Sequence, residues 1–257
     1  MRLDLFLVEK KLVTSRTQAQ DLISSGFVFL KKNHQNIPLT KSNYQVTESD
    51  HESIFVEKNE IQKFVSRGGL KLEKALKKIN LDLTGKSVFD IGQSTGGFTD
   101  CLLYLGAKSV VGIDVGHDQL HAKIKTDARV TSFEGLHVKD LDQNQSFQKA
   151  ALATGQGFDL LVADVSFISL TKVMPVVKKY LKPQGYFLFL VKPQFELTSK
   201  DLDRNGIVKD AKKYGLVQNV IEQEARQQFG DVIDYFQSET PGKDGNQEFF
   251  IYGKKTI

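Results

Sequence analysis

The amino-acid sequence predicts an α/β protein in which a small α+β unit precedes a doubly wound, mostly parallel sheet. Apolar, β-branched segments alternate with helical segments through most of the chain, which is typical of strand–helix units in a parallel sheet. A glycine-rich turn follows the first of these apolar segments. The first 61 residues lack the alternation and combine two short helical patterns with short strand-like pieces.

Seven apolar segments in the larger part of the chain are predicted strands of one sheet. They are Ser87–Ile91, 110–114, 129–133, 158–164, 186–191, 231–236 and 248–252. Helices are predicted between most of them, notably over 170–181 and 209–229. A loop joins the last two strands, so we expect them to pair antiparallel at one edge of the sheet.

The N-terminal unit is predicted to contain two helices and a few strands. Leucine and phenylalanine recur at helical spacing over 1–13, and a second helix begins at a capping Thr14 or Ser15 and ends at Gly26. Residues 27–30 are a predicted strand, 31–38 a turn, and the pieces around 44–46 and 53–57 short strands. We therefore divide the chain into 1–61, a basic linker and first helix over 62–80, and a larger domain over 81–257.

Composition restricts the class of protein. Cys101 is the only cysteine, so no internal disulfide forms, and it is expected to be a core thiol. The absence of a secretory segment or an apolar span of about 20 residues predicts a soluble, cytosolic protein. No metal is expected, because the five histidines show no ligand cluster; they are His34, His51, His117, His121 and His137.

Basic charge is concentrated in one segment. The formal net charge is +4, and residues 62–80 carry six basic side chains against Glu73 alone. The first 61 residues balance eight basic against eight acidic residues. A solvated helix face would explain individual lysines of this segment. The cluster as a whole favours contact with a nucleic-acid backbone.

The glycine-rich turn predicts a nucleoside-bearing ligand. Asp90 lies in the strand before Gly92, and Gly96 and Gly97 allow the backbone to approach a ligand closely. Asp114 ends the next strand, where a carboxylate can accept hydrogen bonds from two ribose hydroxyls. An acid before the turn disfavours a pyrophosphate but suits the cationic S-adenosylmethionine, which is the cofactor that we predict.

Four charged residues are predicted to meet at the carboxyl edge of the sheet, where ligands bind in such folds. Asp164 and Lys192 follow apolar strands, and Glu248 begins the last strand. Lys71 belongs to the helix beside the turn. We call these four residues the tetrad. Alone, each strand-end charge is more often a surface residue or a helix cap; their shared location is what indicates a site.

The tetrad suits removal of a proton from a hydroxyl group. A lysine acts as a base only when its pKa falls from about 10.4 toward 7–8, which burial and a neighbouring ammonium group promote. We expect Lys192 to be the base, with Lys71 as the like-charged neighbour. Asp164 would orient Lys192, and Glu248 would fix Lys71 or the sugar of the nucleotide.

Longer motifs resemble the TlyA family of ribosomal RNA 2′-O-methyltransferases, also labelled hemolysin A. The resemblance covers nearly the whole chain, from Arg2-Leu3-Asp4, Ser15-Arg16, Ala19 and Gly26 of an alpha-L RNA-binding fold onward. It continues through FVSRGGLKL, DIGQSTGGFTDCLL, IDVGHDQL, DVSFISL, VKPQFE, GIVKD and GNQEF. It implies a Rossmann-like class I methyltransferase domain, an FtsJ-like catalytic tetrad at the four residues named above, and a cytidine ribose in ribosomal RNA or ribosomal subunits as target.

Two further sets of residues are predicted from the motifs. The donor-binding set is Asp90, Gly92, Gln93, Ser94, Thr95, Gly96, Gly97, Phe98, Asp114, Val115, Glu134, Gly135 and Asp164. The RNA-binding set is Arg2, Lys10, Lys11, Arg16, Lys31, Lys32, Lys63 and Arg67.

The chain departs from the family pattern in three places. Gln93 replaces a serine in the turn, residues 134–139 differ on the adenine side, and Glu239-Thr240-Pro241 stands in the loop before GNQEF. Two other functions compete with methylation: a ribosome-associated RNA-binding protein without catalysis, and a membrane-lysing hemolysin. No apolar span or barrel pattern favours the second. The modified nucleotide, the subunit and the oligomeric state stay open.

Overall fold

The N-terminal domain is a small three-stranded sheet packed against two helices. A computed structural model describes residues 1–33, 35–57, 63–240, 242 and 245–256 of the chain. Its first elements are α1 (Leu3–Glu9), α2 (Arg16–Ser24), β1 (Val28–Lys32), β2 (Gln35–Pro38) and β3 (Ile54–Val56). Strand β1 lies in the centre and pairs antiparallel with both neighbours. Leu3, Leu7 and Leu22 are fully buried in the core of this domain.

Several N-terminal predictions are confirmed and others are wrong. Ser15 caps α2 by accepting a hydrogen bond from the Gln18 N–H at 3.1 Å. The segment 31–38 is not a turn as predicted, because its second half forms β2 and pairs with the end of β1. The predicted strand around 44–46 is reduced to one isolated bridge between Arg2 and Gln45. His34 lies outside the described residues.

The larger domain is a seven-stranded sheet with helices on both faces, as predicted. Its strands are β4 (Ser87–Ile91), β5 (Ser109–Asp114), β6 (Val130–Glu134), β7 (Phe158–Ala163), β8 (Leu181–Val191), β9 (Gly230–Gln237) and β10 (Phe249–Lys255). The strand order is β6-β5-β4-β7-β8-β10-β9. The first five strands run parallel, and β10 inserts antiparallel between β8 and β9.

Helices cover the two faces of this sheet. They are α3 (Arg67–Ile79), α4 (Gly97–Tyr104), α5 (Ala122–Lys125), α6 (Gln145–Leu152), α7 (Leu170–Val177), α8 (Pro193–Glu196) and α9 (Lys212–Phe229). Alternate strand residues point to opposite faces: Val88 packs with α3 and α4, whereas Phe89 packs with α6 and α7. Both faces of the sheet are therefore buried.

One helix is shorter than its predicted range. The helical pattern over 170–181 ends as α7 at Val177, a 3₁₀ turn covers Lys178–Tyr180, and β8 already begins at Leu181. The last predicted helical residue is thus the first residue of a strand. The predicted helix over 209–229 begins three residues later, at Lys212.

Candidate active site

The fold brings the tetrad to one edge of the sheet. Asp164 follows β7, Lys192 follows β8, and Lys71 lies on α3. Glu248 precedes β10, and because that strand is antiparallel its start falls at the carboxyl ends of β7 and β8. All four side chains line one cavity of about 270 Å³, which we call the tetrad cavity.

Lys71 and Glu248 form a buried ion pair. The Nζ of Lys71 donates a hydrogen bond to Oε2 of Glu248, although the two residues are 177 positions apart in the chain. Both side chains are less than a tenth exposed. A charge that is buried without its partner would be costly, so each residue supplies the counter-charge that the other needs in this cavity.

Lys192 pairs with the other acid. Its Nζ lies 2.6 Å from Oδ1 of Asp164, in a direction that is unfavourable for a hydrogen bond, and donates to Oγ of Ser166 at 3.1 Å. The amine is therefore held on one side while Oδ1 of Asp164 keeps hydrogen-bonding capacity for another donor. Each lysine of the tetrad therefore has its own acid, and for Glu248 the partner is Lys71, one of the two alternatives that the sequence left open.

The glycine turn lies against the tetrad cavity. Gly92 has a φ of +85°, and a Cβ atom there would lie 2.6 Å from the carbonyl oxygen of Asp164. Only glycine allows β4 and β7 to approach so closely at this point. Gly96, with a φ of +89°, is the N-cap of α4. Six predicted donor-binding residues line the tetrad cavity at this turn: Gly92, Gln93, Ser94, Thr95, Gly97 and Phe98.

A second cavity of about 520 Å³ adjoins the first on the side of β5. Its wall includes Asp114 and Val115, together with Leu136 and His137, two of the residues that depart from the family pattern. The two cavities share four residues: Gly92, Ser94, Asp164 and Ser166. Because the two cavities share these residues, a ligand bound in the second cavity can extend to the tetrad.

Of the two predicted acids at these strand ends, Asp114 lines the second cavity, whereas Glu134 only bonds to Gln119 of its lining. Asp114 accepts hydrogen bonds from the backbone N–H groups of Ser94 at 2.8 Å and Gly116 at 2.7 Å. Glu134 accepts from the N–H of Gln119 at 2.8 Å, and this bond lowers the pKa of its carboxyl group. Gly135 follows with a φ of +72°. Both predicted acids are thus present at strand ends.

Asp90 lies deeper than the sequence argument placed it. Its side chain is fully buried and, within the described part of the chain, lines neither cavity. Thr99 Oγ1 donates to its Oδ2 at 2.7 Å and accepts from Nε2 of Gln93 at 2.8 Å. Burial raises the pKa of Asp90 to about 7, with the charges of Asp164 and Asp114 adding to the effect. Asp90 therefore supports the glycine turn from inside the domain, through its hydrogen bond to Thr99 and the bond of Thr99 to Gln93.

Asp90→Asn is expected to change how stability depends on pH. The folded protein holds the Asp90 proton up to a pKa of about 7, whereas the unfolded chain releases it near 4. The group therefore stabilises the fold below pH 4, and this contribution is lost as the pH rises to 7, by at most about 1.4 kcal/mol per pH unit. Melting temperatures at pH 5 and pH 8 measure it. The advantage of the variant over the wild type should grow toward pH 8; a difference independent of pH would contradict the burial argument.

Two predicted RNA-binding arginines share one buried acid. Asp4 is fully buried and accepts from Nε of Arg2 at 3.0 Å, from Nε of Arg16 at 2.8 Å and from the amide of Gln20 at 3.1 Å. The bond from Arg2 holds the pKa of Asp4 well below its usual range. About half of each arginine side chain stays exposed. Together they present two fixed guanidinium groups on the N-terminal domain.

The remaining basic residues are dispersed. Lys10, Lys11, Lys31 and Lys32 are exposed on the N-terminal domain. Lys63 pairs with Glu73 at 2.6 Å and lies 4.4 Å from the centre of the Tyr104 ring, and Lys77 pairs with Glu73 at 2.9 Å. The positive charge of the predicted basic segment, residues 62–80, is therefore partly neutralised by Glu73, which belongs to the same segment.

The structure adds residues that the sequence argument did not assign. Thr17 and Asp21 of α2 and Ser66, the N-cap of α3, line the tetrad cavity beside Arg67, which was predicted to bind RNA. The N-terminal domain thus forms one wall of the site. Residues on different domains give no periodic signal in the sequence that would have paired them.

Two aromatic residues also escaped the sequence argument. Phe167 is 92% exposed and lines the second cavity, and its ring packs at a tilt against Phe195, which lines the tetrad cavity, with 5.1 Å between the ring centres. The apolar motif DVSFISL resembles a core segment, so only its first residue stood out in the sequence. An exposed aromatic ring beside a polar cavity offers a stacking surface.

Comparison with known families identifies the two domains. Residues 64–255 match the model of the FtsJ-like methyltransferase family, which covers most of the chain. The chain belongs to this family. Residues 1–51 match the S4 domain model, so the N-terminal domain is an S4 domain.

Individual relatives extend over nearly the whole chain. Hemolysin A of Brachyspira hyodysenteriae is 38% identical over 82% of this chain and 81% of its own length. The 16S/23S rRNA (cytidine-2′-O)-methyltransferase TlyA of Mycobacterium tuberculosis is 34% identical over 98% of this chain and 88% of its own. A solved structure described as a hemolysin from Streptococcus thermophilus covers 100% of this chain and 88% of its own, with 33% identity and a TM-score of 0.74. The resemblance to the TlyA and hemolysin A family is thereby confirmed.

Two structural features are absent from the described residues. None of their helices is long and apolar enough to cross a membrane. Over the same residues, no group of three or more histidine, cysteine, aspartate or glutamate side chains is arranged to hold a metal ion. Pro241, in the third departure from the family pattern, lies outside the described residues.

Proposed function

We propose that this protein transfers the methyl group of S-adenosylmethionine to the 2′-hydroxyl of a cytidine in ribosomal RNA. The observation that best supports this proposal is that the two cavities adjoin and share lining residues. The tetrad lines one, the ribose-binding acid Asp114 lines the other, and Asp164 belongs to both. A donor and an acceptor bound in the two cavities would meet beside Lys192.

The second cavity and the turn fit the donor. Gly92 lets β4 and β7 approach closely, because a Cβ there would lie 2.6 Å from the carbonyl oxygen of Asp164. Oδ1 of Asp164 is buried and accepts no hydrogen bond from the described residues, although Nζ of Lys192 lies 2.6 Å from it. An anionic, hydrogen-bond-accepting oxygen suits the ammonium group of the donor. Asp114 is placed for the ribose, and the apolar Leu136 and Ile168 for the adenine. When bound, the donor supplies an electrophilic methyl group on a sulfonium.

The tetrad would handle the proton of the acceptor. Lys192, in its neutral form, would accept the 2′-hydroxyl proton while the ribose oxygen takes the methyl group and the methyl–sulfur bond of the donor breaks, which leaves a neutral thioether. Asp164 and Ser166 hold the amine in place and stabilise the ammonium ion that results. Lys71, fixed by Glu248, places a positive charge in the same cavity, where it would stabilise the oxygen as it loses its proton.

The S4 domain and the exposed aromatic ring support an RNA acceptor. Arg2 and Arg16 are held side by side by Asp4, which suits a phosphate backbone. Residue Thr17, next to Arg16, lines the tetrad cavity, so a strand bound at the arginines passes close to the site. Phe167 offers a surface on which an unpaired base can stack. The name of the mycobacterial relative supports cytidine as the target.

Analysis of the methylated nucleoside tests the proposal. The purified protein is incubated with radiolabelled S-adenosylmethionine and ribosomal subunits, and the RNA is digested to nucleosides. We expect the label in 2′-O-methylcytidine. Label in a base-methylated nucleoside would contradict the role of the tetrad. Binding to subunits without transfer of label would instead favour the RNA-binding protein that lacks catalysis.

A further inference from the structure

Two chain segments that follow neighbouring strands are tied together beside the tetrad cavity. We call them the β7 loop (residues 164–169) and the β8 segment (residues 192–196). Lys192 contacts Asp164 and Ser166 at one end of the pair. The Phe195 and Phe167 rings pack against each other at a tilt in the middle. The third contact, at the far end, is made by Glu196, which is not part of the tetrad.

Glu196 joins the end of the β8 segment to the end of the β7 loop through both of its carboxylate oxygens. Its Oε2 accepts from Oγ of Ser169 at 2.5 Å, and its Oε1 accepts from the backbone N–H of Leu170 at 2.9 Å. Ser169 is the N-cap of α7 and accepts from the N–H of Thr171 at 3.1 Å. Burial raises the pKa of Glu196. A mostly buried carboxyl group thus fastens the end of the β7 loop to the start of a helix.

The backbone conformation of Phe167 requires contacts of this kind. Its φ of +63° is a left-handed conformation that is unfavourable for an aromatic residue. Its ring is 92% exposed, so burial in a core does not hold it. The conformation persists only when contacts on both sides impose it. Those contacts are Lys192 with Ser166 before it, Glu196 with Ser169 after it, and the ring of Phe195.

We propose that Glu196 is a positioning residue that fixes the β7 loop and thereby holds the Phe167 ring in one place for the target nucleotide. The identity of that nucleotide rests on the proposed function, whereas the fixing of the loop does not. The residue acts through Phe167 and touches neither donor nor acceptor.

The mobility of residue 167 tests the positioning without RNA. Because the chain contains no tryptophan, Phe167→Trp introduces a single fluorescent probe at the exposed ring. Time-resolved anisotropy should show little fast local motion in this variant. Adding Glu196→Ala should increase the amplitude of that motion. Adding Glu196→Gln should not, because the amide can accept from Leu170 N–H and donate to Ser169 Oγ. Glu222→Ala removes a carboxyl group of α9 that pairs with Arg226 of the same helix, so it is the matched control and should leave the motion unchanged.

Kinetics on ribosomal subunits test whether the positioning serves the target. Glu196→Ala should raise KM for subunits by about five- to tenfold and change kcat by less than about twofold. In a Phe167→Ala background the same substitution should add nothing further, because the ring that it positions is gone. Glu196→Gln should restore the wild-type KM.

The two measurements separate this proposal from the proposed function. Unchanged anisotropy in Phe167→Trp/Glu196→Ala overturns the positioning role, whatever the RNA assay shows. Additive effects of Glu196→Ala and Phe167→Ala on KM overturn it as well. If the wild type transfers no methyl group to subunits, the function fails while the anisotropy result still decides the role of Glu196.

Discussion

Lys192→Ala is expected to lower the rate of methyl transfer by about 10²–10⁴-fold, the usual contribution of a general base. Donor affinity should change little, because Asp114 and the apolar residues proposed to hold the donor line the second cavity, which Lys192 does not line. Single-turnover transfer of a labelled methyl group to ribosomal subunits measures the rate, and equilibrium dialysis measures donor binding.

Two further variants separate a base from a simple positive charge. Lys192→Arg keeps a cation beside Asp164 but cannot accept a proton, so it should be as inactive as the alanine variant. Lys182→Ala is the matched control, since Lys182 lies on the same strand, β8, and pairs with Asp159 at 2.9 Å outside both cavities. Turnover of Lys192→Ala within about threefold of the Lys182→Ala rate would remove Lys192 as the base.

Breaking the Lys71–Glu248 pair is expected to cost both stability and activity. Lys71→Met leaves Glu248 as a buried charge without its partner, and Glu248→Leu does the same to Lys71, so each should lower the free energy of unfolding by about 3–5 kcal/mol. The double variant removes both charges and should regain most of this loss while staying inactive. Urea denaturation gives the stabilities, and the methyl-transfer assay gives the activities.

An exposed ion pair provides the scale for this comparison. Lys213→Met breaks the pair of Lys213 with Asp201 at 2.8 Å on the surface and should cost less than about 1 kcal/mol. If the single variants at residues 71 and 248 cost no more than Lys213→Met, the pair is not buried as described. If the double variant is active, the pair has no part in the reaction.

Placement at the strand ends explains why the tetrad could be predicted from the sequence. Asp164 and Lys192 each follow a run of apolar residues, and the parallel direction of β7 and β8 brings such positions to one edge. The position of Glu248 required one further step, the antiparallel direction of the last strand. These inferences depend on chain direction and burial, which the sequence pattern carries directly.

Other features depend on tertiary contacts that no local pattern carries. The sequence placed Asp90 near a ligand, but its position in the middle of the sheet buries it with Thr99 and Gln93. The wall that α2 contributes comes from packing between two domains. Phe167 lies in an apolar motif, yet its backbone is left-handed and its ring is 92% exposed. Strand β2 is polar and fully exposed, so its sequence resembles a turn.

Mapping of 2′-O-methyl groups across the ribosomal RNA tests the central claim most directly. RNA is compared from cells that carry the wild-type gene, the Lys192→Ala gene or no gene. We expect at least one cytidine to be 2′-O-methylated with the wild-type protein and unmodified in the other two strains. Identical maps in all three strains would contradict the account that the tetrad catalyses ribose methylation.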